Sequence, residues 1–277
     1  MTQLAAARVR RWAALAVASL TLLAGGVVGA GPASAAAVSC PVVVSGSVVP
    51  FPVPGTSVDC TGASLTGADL RGADLTGWTF RNANLDGADL TGATLLGANL
   101  AGARLANATL DRADLSYSLL AGTVLSGASL SGSVLSAARL DGVDLSGAAA
   151  AGAHLAGLHS GAVTVDPATT LPAGWDVRNG LLLGPGVVFS GRTIVSADLH
   201  ALDLTGADLS GAILEGADLR SAALDGADLR GTVLTSADLT GATGVTSVLT
   251  NALTSWWGAT CPDGLGADAH DGRACDR

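Results

Sequence analysis

The side chains in this chain that could do chemistry are few and scattered. Four cysteines, Cys40, Cys60, Cys261 and Cys275, fall into two pairs that are close in sequence. In an exported chain an even count arranged this way reads as two disulfides, which removes the thiols as nucleophiles. Cys40 has a second reading as a lipid-modified cysteine, because "AVSC" faintly resembles a lipobox. That use leaves Cys60 without a partner, and Cys40 lies far beyond the apolar run. His154, His159, His200 and His270 are spread along the chain, whereas zinc needs ligands that converge. The tail "DGLGADAHDG" offers Asp263, Asp268 and Asp271 as oxygen ligands of the kind calcium takes. Their spacing departs from the EF-hand loop, and no bidentate glutamate follows. Serines are abundant but no G-x-S-x-G elbow occurs, and a chain without a single lysine has no P-loop. These absences point to a non-enzymatic protein that needs neither metal nor cofactor.

The amino-terminal residues read as an export signal. Arg8, Arg10 and Arg11 form a basic start, "WAALAVASLTLLAGGVVGA" is the apolar stretch, and "PASA" ends in a small-residue cleavage site at Ala35. A retained anchor is the competing reading, since the apolar run approaches spanning length. Cleavage leaves no membrane span and implies a secreted, extracellular protein. It also removes three arginines and no acid, which moves the formal charge from −9 to −12. A phosphate-binding surface needs clustered cations, so direct nucleic-acid binding is excluded. Aromatic residues make up only 3% of the chain, against 38 glycines among 277 residues. Any core must therefore be narrow and repetitive.

The elements that would position these residues follow from a beat of five. In "CTGASLTGADLRGADLTGWTF" a leucine or phenylalanine returns at 65, 70, 75 and 80, a period that fits neither a helix nor a plain strand. Leucine holds these positions from Leu65 to Leu155, apart from Phe80 and Ala150. A small residue, usually alanine, comes two residues earlier, as at Ala63, Ala68, Ala73 and Ala83, with a polar residue such as Asp69, Asp74, Asn84 or Asp89 between. Each unit then reads as a three-residue extended piece with alanine in, aspartate out and leucine in, followed by a two-residue corner that glycine tolerates. Four right-angle corners close a square coil of twenty residues. Coils stack at about 4.8 Å through backbone hydrogen bonds. A second array, from Phe189 and Ile194 to Leu239, keeps the beat in a shifted register.

The tandem A(D/N)LxG motif resembles the pentapeptide-repeat family over residues 63–155 and 187–239. The resemblance implies an all-β, right-handed quadrilateral β-helix, a solenoid here in two arrays separated by a non-repeat insert. The organisation expected is a signal peptide at 1–35, an amino-terminal cap at 36–62, array 1 at 63–156, an insert or hairpin at 157–186, array 2 at 187–243 and a disulfide cap at 244–277. "WDVR" and "LLLG" read as short strands of the insert. Trp256 and Trp257 would cover the last leucines, and the insert and tail resemble those of exported actinobacterial members with no assigned activity.

Stacking at twenty residues aligns Asp198, Asp218 and Asp238 in one column and Asp208 and Asp228 in another, with Asp69 over Asp89. The functional reading is an acidic stripe for a cation or a basic partner; the plainer one is a repeat consensus that keeps the rod soluble. Trp175 either anchors a partner from the insert or tucks against the rod. The expected role is a secreted scaffold or protein-interaction surface for an unknown protein or envelope partner, with a homodimer left open. The rival is an acidic DNA mimic that binds a nucleic-acid enzyme such as gyrase, an idea the export signal disfavours.

Overall fold

The computed structural model describes residues 38–40, 58–267 and 275. The export signal read at 1–35 lies outside the described residues, as do 41–57, Asp268, His270 and Asp271.

One unit shows why the period is five. In Leu85–Asp86–Gly87–Ala88 the Ala88 N–H donates to the Leu85 carbonyl at 3.0 Å. Gly87 sits at φ 67°, the positive value that the third residue of a type II turn requires. The chain then extends through Ala88, Asp89 and Leu90. The Asp89 N–H donates to Ala68 one coil back, while the Leu90 and Gly92 N–H groups donate to Thr109 and Asp111 one coil on. The one amide left, that of Thr91, donates to the Asp89 carboxylate at 3.0 Å. All five backbone donors of the unit are thereby matched, three between coils, one within the turn and one by a side chain. Asp69, Asp74, Asn84, Asn99, Asp114 and Asp144 accept the corner amide in the same way. The outward aspartate of the motif is a corner cap.

The inward residues fill a dry axis. Leu90, Leu100, Leu105, Leu110 and Leu115 are fully buried, as are Ala73, Ala83, Ala88 and Ala98 in the walls. Burying a leucine contributes about 2 kcal/mol, so a stack of them stabilises a rod too thin for an ordinary core. Among the described residues the one helical turn is a 3-10 piece at Val245–Ser247.

The four faces are named here by the first outward residue of each: Asp59 on face 1, Ser64 on face 2, Asp69 on face 3 and Asp74 on face 4. On face 1 a single parallel ladder runs through Ser39, Asp59, Thr79, Asn99, Leu119, Arg139, His159, Val188, Asp208, Asp228 and Leu249. Ten spacings of about 4.8 Å give a rod of roughly 48 Å. Both ends go beyond the repeats legible in sequence. Ser39 is already stacked on Asp59, and Leu249, Ser255 and Thr260 stack on Asp228, Val233 and Asp238. Two single-residue insertions after Gly244 hide the last coil from a strict count of five.

The joint between the repeat runs is shorter than the 157–186 span expected from sequence. His159–Ser160 pairs with Arg139–Leu140, Val163–Thr164 with Val143–Asp144, and Thr170 with Ala149. Residues 157–170 thus continue the coil without the leucine beat. The chain then leaves as an antiparallel hairpin, Asp176–Arg178 with Leu181–Leu183. The face 1 step from His159 to Val188 takes 29 residues in place of 20, and the nine extra residues produce the register shift. On faces 2, 3 and 4 the parallel ladder stops at Thr164, Thr170 and His154 and resumes at Thr193, Asp198 and Asp203. Arg192 spans the gap. Its guanidinium reaches Asp141 at 2.9 Å and lies 5.7 Å from the Phe189 ring centroid. Gly161 makes room for this pair, since a Cβ there would fall 2.2 Å from the Asp141 carboxylate.

Candidate functional site

The acidic columns form as the twenty-residue stacking requires, but they are not bare. Asp198, Asp218 and Asp238 pair in register on face 3, as do Asp69 and Asp89; Asp208 and Asp228 pair on face 1. Each of these columns contains guanidinium groups. Arg220 donates to Asp218 at 2.6 Å and approaches Asp238 at 3.9 Å. Arg178 bridges Asp176 and Asp198 at 2.7 and 3.0 Å. Arg230 pairs with Asp228, and Arg71 with Asp69 and Asp89. These arginines stand two residues after an aspartate, at the corner, or in the hairpin turned toward the column. Sequence reading missed them as partners because the alignment of aspartates drew attention away from the corner position.

The electrostatics follow from these contacts. The Arg71 side chain and its backbone N–H hold Asp69 down to about 2. The Arg220 guanidinium does the same for Asp218, also to about 2, against the opposing effect of burial. Arg230 lowers Asp228 in the same manner. In every case the carboxylate also accepts the corner amide. What the columns do chemically is hold their own corners and arginines.

The other candidates are placed as follows. Trp175 is half-buried and packs against both apolar clusters, those of the first and second repeat runs. Its ring lies over Gly184, where an added Cβ would sit 2.4 Å from it. It therefore wedges the joint. Cys40 and Cys60 form a disulfide across stacked coils, and Cys60 occupies a leucine position on the axis. Cys261 and Cys275 form the second. Trp256 takes a leucine position and is buried, but Trp257 is 73% exposed, so the two tryptophans do not both cover the last coil. His154 and His159 lie on faces 4 and 1 and do not converge. Asp263 accepts the Leu265 N–H in the tail turn. Among the described residues no group of three or more histidine, cysteine or acidic side chains is placed to hold a metal ion, and no helix is long and apolar enough to cross a membrane.

Stacked coils of twenty, corner glycines and capped aspartates define a pentapeptide-repeat solenoid, and comparison with known proteins agrees. The pentapeptide repeat family model matches in eight copies, over residues 59–95, 79–116, 108–147, 118–157, 186–220 and 212–243. The chain belongs to that family, whose solved members are of the right-handed β-helix type. It is similar to HetL, a pentapeptide repeat protein involved in heterocyst differentiation regulation from the cyanobacterium Nostoc. Identity is 30%, covering 76% of this chain and 88% of HetL, with a TM-score of 0.32. It is also similar to a pentapeptide repeat protein of the Arabidopsis thaliana thylakoid lumen, at 33% identity and TM-score 0.32. That match covers 32% of this chain and spans 63% of the plant protein. A third is Rfr23 of the cyanobacterium Cyanothece, at 28% identity over 41% of this chain and 90% of Rfr23, with a TM-score of 0.38. No curated protein matches the chain.

Proposed function

We propose that this protein is an exported, non-enzymatic solenoid of the actinobacterial type, a rigid rod that presents flat faces to a protein or envelope partner. The observation that carries this reading is the unbroken face 1 ladder from Ser39 to Leu249. A chain in which backbone donors, corner caps and leucines are all committed to the rod has its outer faces left for recognition. Two disulfides joining residues near both ends of the stack support an oxidising destination. The 1–35 signal, the two arrays and the cysteine-closed tail are parts of the same reading.

The mimicry alternative asks for a continuous negative surface. Arginines at 71, 178, 220 and 230 interrupt the columns that would supply it, so the scaffold reading is preferred. The test is to express the full chain in an exporting host and recover it from the medium. The expected product is cut after Ala35, carries both disulfides, and leaves gyrase supercoiling untouched. A product retained in the cytoplasm with free thiols, or a hydrolase or transferase activity in the pure exported chain, would overturn the proposal.

A further inference from the structure

Among the described residues, face 1 is the one face whose parallel ladder crosses the joint unbroken. From Leu119 upward, one coil at a time, its outward residues are Leu119, Arg139, His159, Val188, Asp208, Asp228 and Leu249. Taken outward from Val188, the two halves are opposites. His159 lies one coil below Val188 and Asp208 one coil above. Arg139 lies two coils below and Asp228 two above. Leu119 and Leu249 stand three coils away at either end, and both are exposed, at 41% and 53%. Donor mirrors acceptor, cation mirrors anion, and leucine mirrors leucine.

The charges within each half leave remainders of opposite sign. Below Val188, Asp141 is held by Arg192. Arg139 is exposed, and among the described residues no ion pair or side-chain hydrogen bond engages it or His159. Above Val188, Asp228 is held by Arg230, while Asp208 accepts only from the Ser210 amide and hydroxyl, both at Oδ1. One guanidinium is thus uncompensated below and one carboxylate above. Two copies meeting face to face about a two-fold axis that passes through Val188 and runs along the strands reverse the order of the coils. Arg139 of one copy then meets Asp228 of the other, with Asp208 one coil spacing away. His159 meets Asp208, Leu119 meets Leu249, and Val188 meets itself. Asp228 keeps room for a second donor, since a carboxylate offers about four acceptor sites. A two-fold axis parallel to the rod instead sets Arg139 on Arg139 and each aspartate on itself, like on like. Reversing face 3 also opposes like charges, because Asp69 and Asp89 stand at one end and Asp218 and Asp238 at the other.

We infer that face 1 from Leu119 to Leu249 is a self-association surface, on which two copies pack antiparallel about Val188. The surface requires the continuous ladder of the proposed rod, but neither its export nor its lack of enzymatic activity. Six coil spacings make the contact about 29 Å long. One face of a rod is narrow, and interfaces burying less than about 1,200 Å² in total belong to the weak class. The dimer is therefore concentration-dependent, and its opposed charges set the register more than the strength.

Sedimentation velocity of the full chain over a concentration series tests this, together with cross-linking that reads the register. The expected mass rises from one chain toward two. Arg139→Glu should move the midpoint of that rise to about tenfold higher concentration or more. Its thermal midpoint should stay level, because the side chain it replaces is exposed and unpartnered. The native cysteines are paired, so added thiols can be joined by a short bis-maleimide. Val188→Cys copies should link to one another, and Leu119→Cys copies should link to Leu249→Cys copies but not to themselves. One-chain mass for the parent at every concentration, or a dimer indifferent to Arg139→Glu, overturns the inference. So does a dimer in which Leu119→Cys links to itself or Val188→Cys does not. Each of these leaves the proposed scaffold function standing.

Discussion

Ser118 and Ser133 occupy the same place in the repeat, the small inward position two residues before an axial leucine, and both are fully buried. Their hydroxyls differ. Ser133 Oγ donates to the Leu130 carbonyl at 2.8 Å, whereas Ser118 Oγ has no partner. Alanine is the usual occupant here, so replacing either serine needs no backbone change. An unpaired buried hydroxyl costs about 1–3 kcal/mol, and a satisfied one contributes about 1 kcal/mol net. Ser118→Ala should therefore stabilise the rod by roughly 1–2 kcal/mol and Ser133→Ala should destabilise it by about 1 kcal/mol. For a chain of this size 1 kcal/mol shifts the thermal midpoint by about 2–4 °C. Thermal unfolding followed by circular dichroism, with parent and both variants side by side, should show opposite displacements. A Ser118→Ala protein that melts at or below the parent would refute the hydrogen-bond accounting of the walls.

Three further outcomes follow from the corners, the ion pairs and the joint. Tyr117, Ala137 and Ala201 sit at φ 60°, 56° and 55° in the corner position that glycine usually holds; replacing each with glycine should raise stability by about 0.5–1 kcal/mol, measured by urea midpoint. Asp69 and Asp218 are held at about 2, below the ordinary 3.8. A lowered folded-state value means that their stabilisation is complete above about pH 4 and is lost as pH falls toward 2; a pH series of melting temperatures should decline over that window, and Arg220→Gln should flatten part of the decline. Arg192→Ala and Asp141→Asn should each weaken the joint by under about 1 kcal/mol, with a double-mutant cycle showing that the losses do not add, because the pair is partly exposed.

The coil was legible in sequence because its cause is local. A positive-φ corner, a capping aspartate and an axial leucine each leave a residue type at a fixed position, and Asp89, Leu90 and Gly92 show all three. Legibility failed where stacking continues without those types. Residues 157–170 keep the coil with Leu158, Ser160 and Val163 in inward positions, so the beat fades before the rod does. At the far end Val245, Trp256 and Cys261 replace leucine while single-residue insertions shift the count. The acidic columns were readable from spacing, yet their arginine partners depend on where a long side chain turns, which spacing does not record.

Whether one stack runs through the joint is decided most directly by a cysteine pair placed across it. His159 and Val188 are register partners on face 1, at a separation suited to a disulfide; His159 and Asn179 are separated by a twenty-residue interval but are not paired. Under mild oxidation His159→Cys with Val188→Cys should cross-link intramolecularly in high yield, mapped by mass spectrometry, while His159→Cys with Asn179→Cys should not. Cross-linking of the second pair, or of neither, would mean that the ladder does not pass from His159 to Val188 and that the chain does not form a single continuous rod.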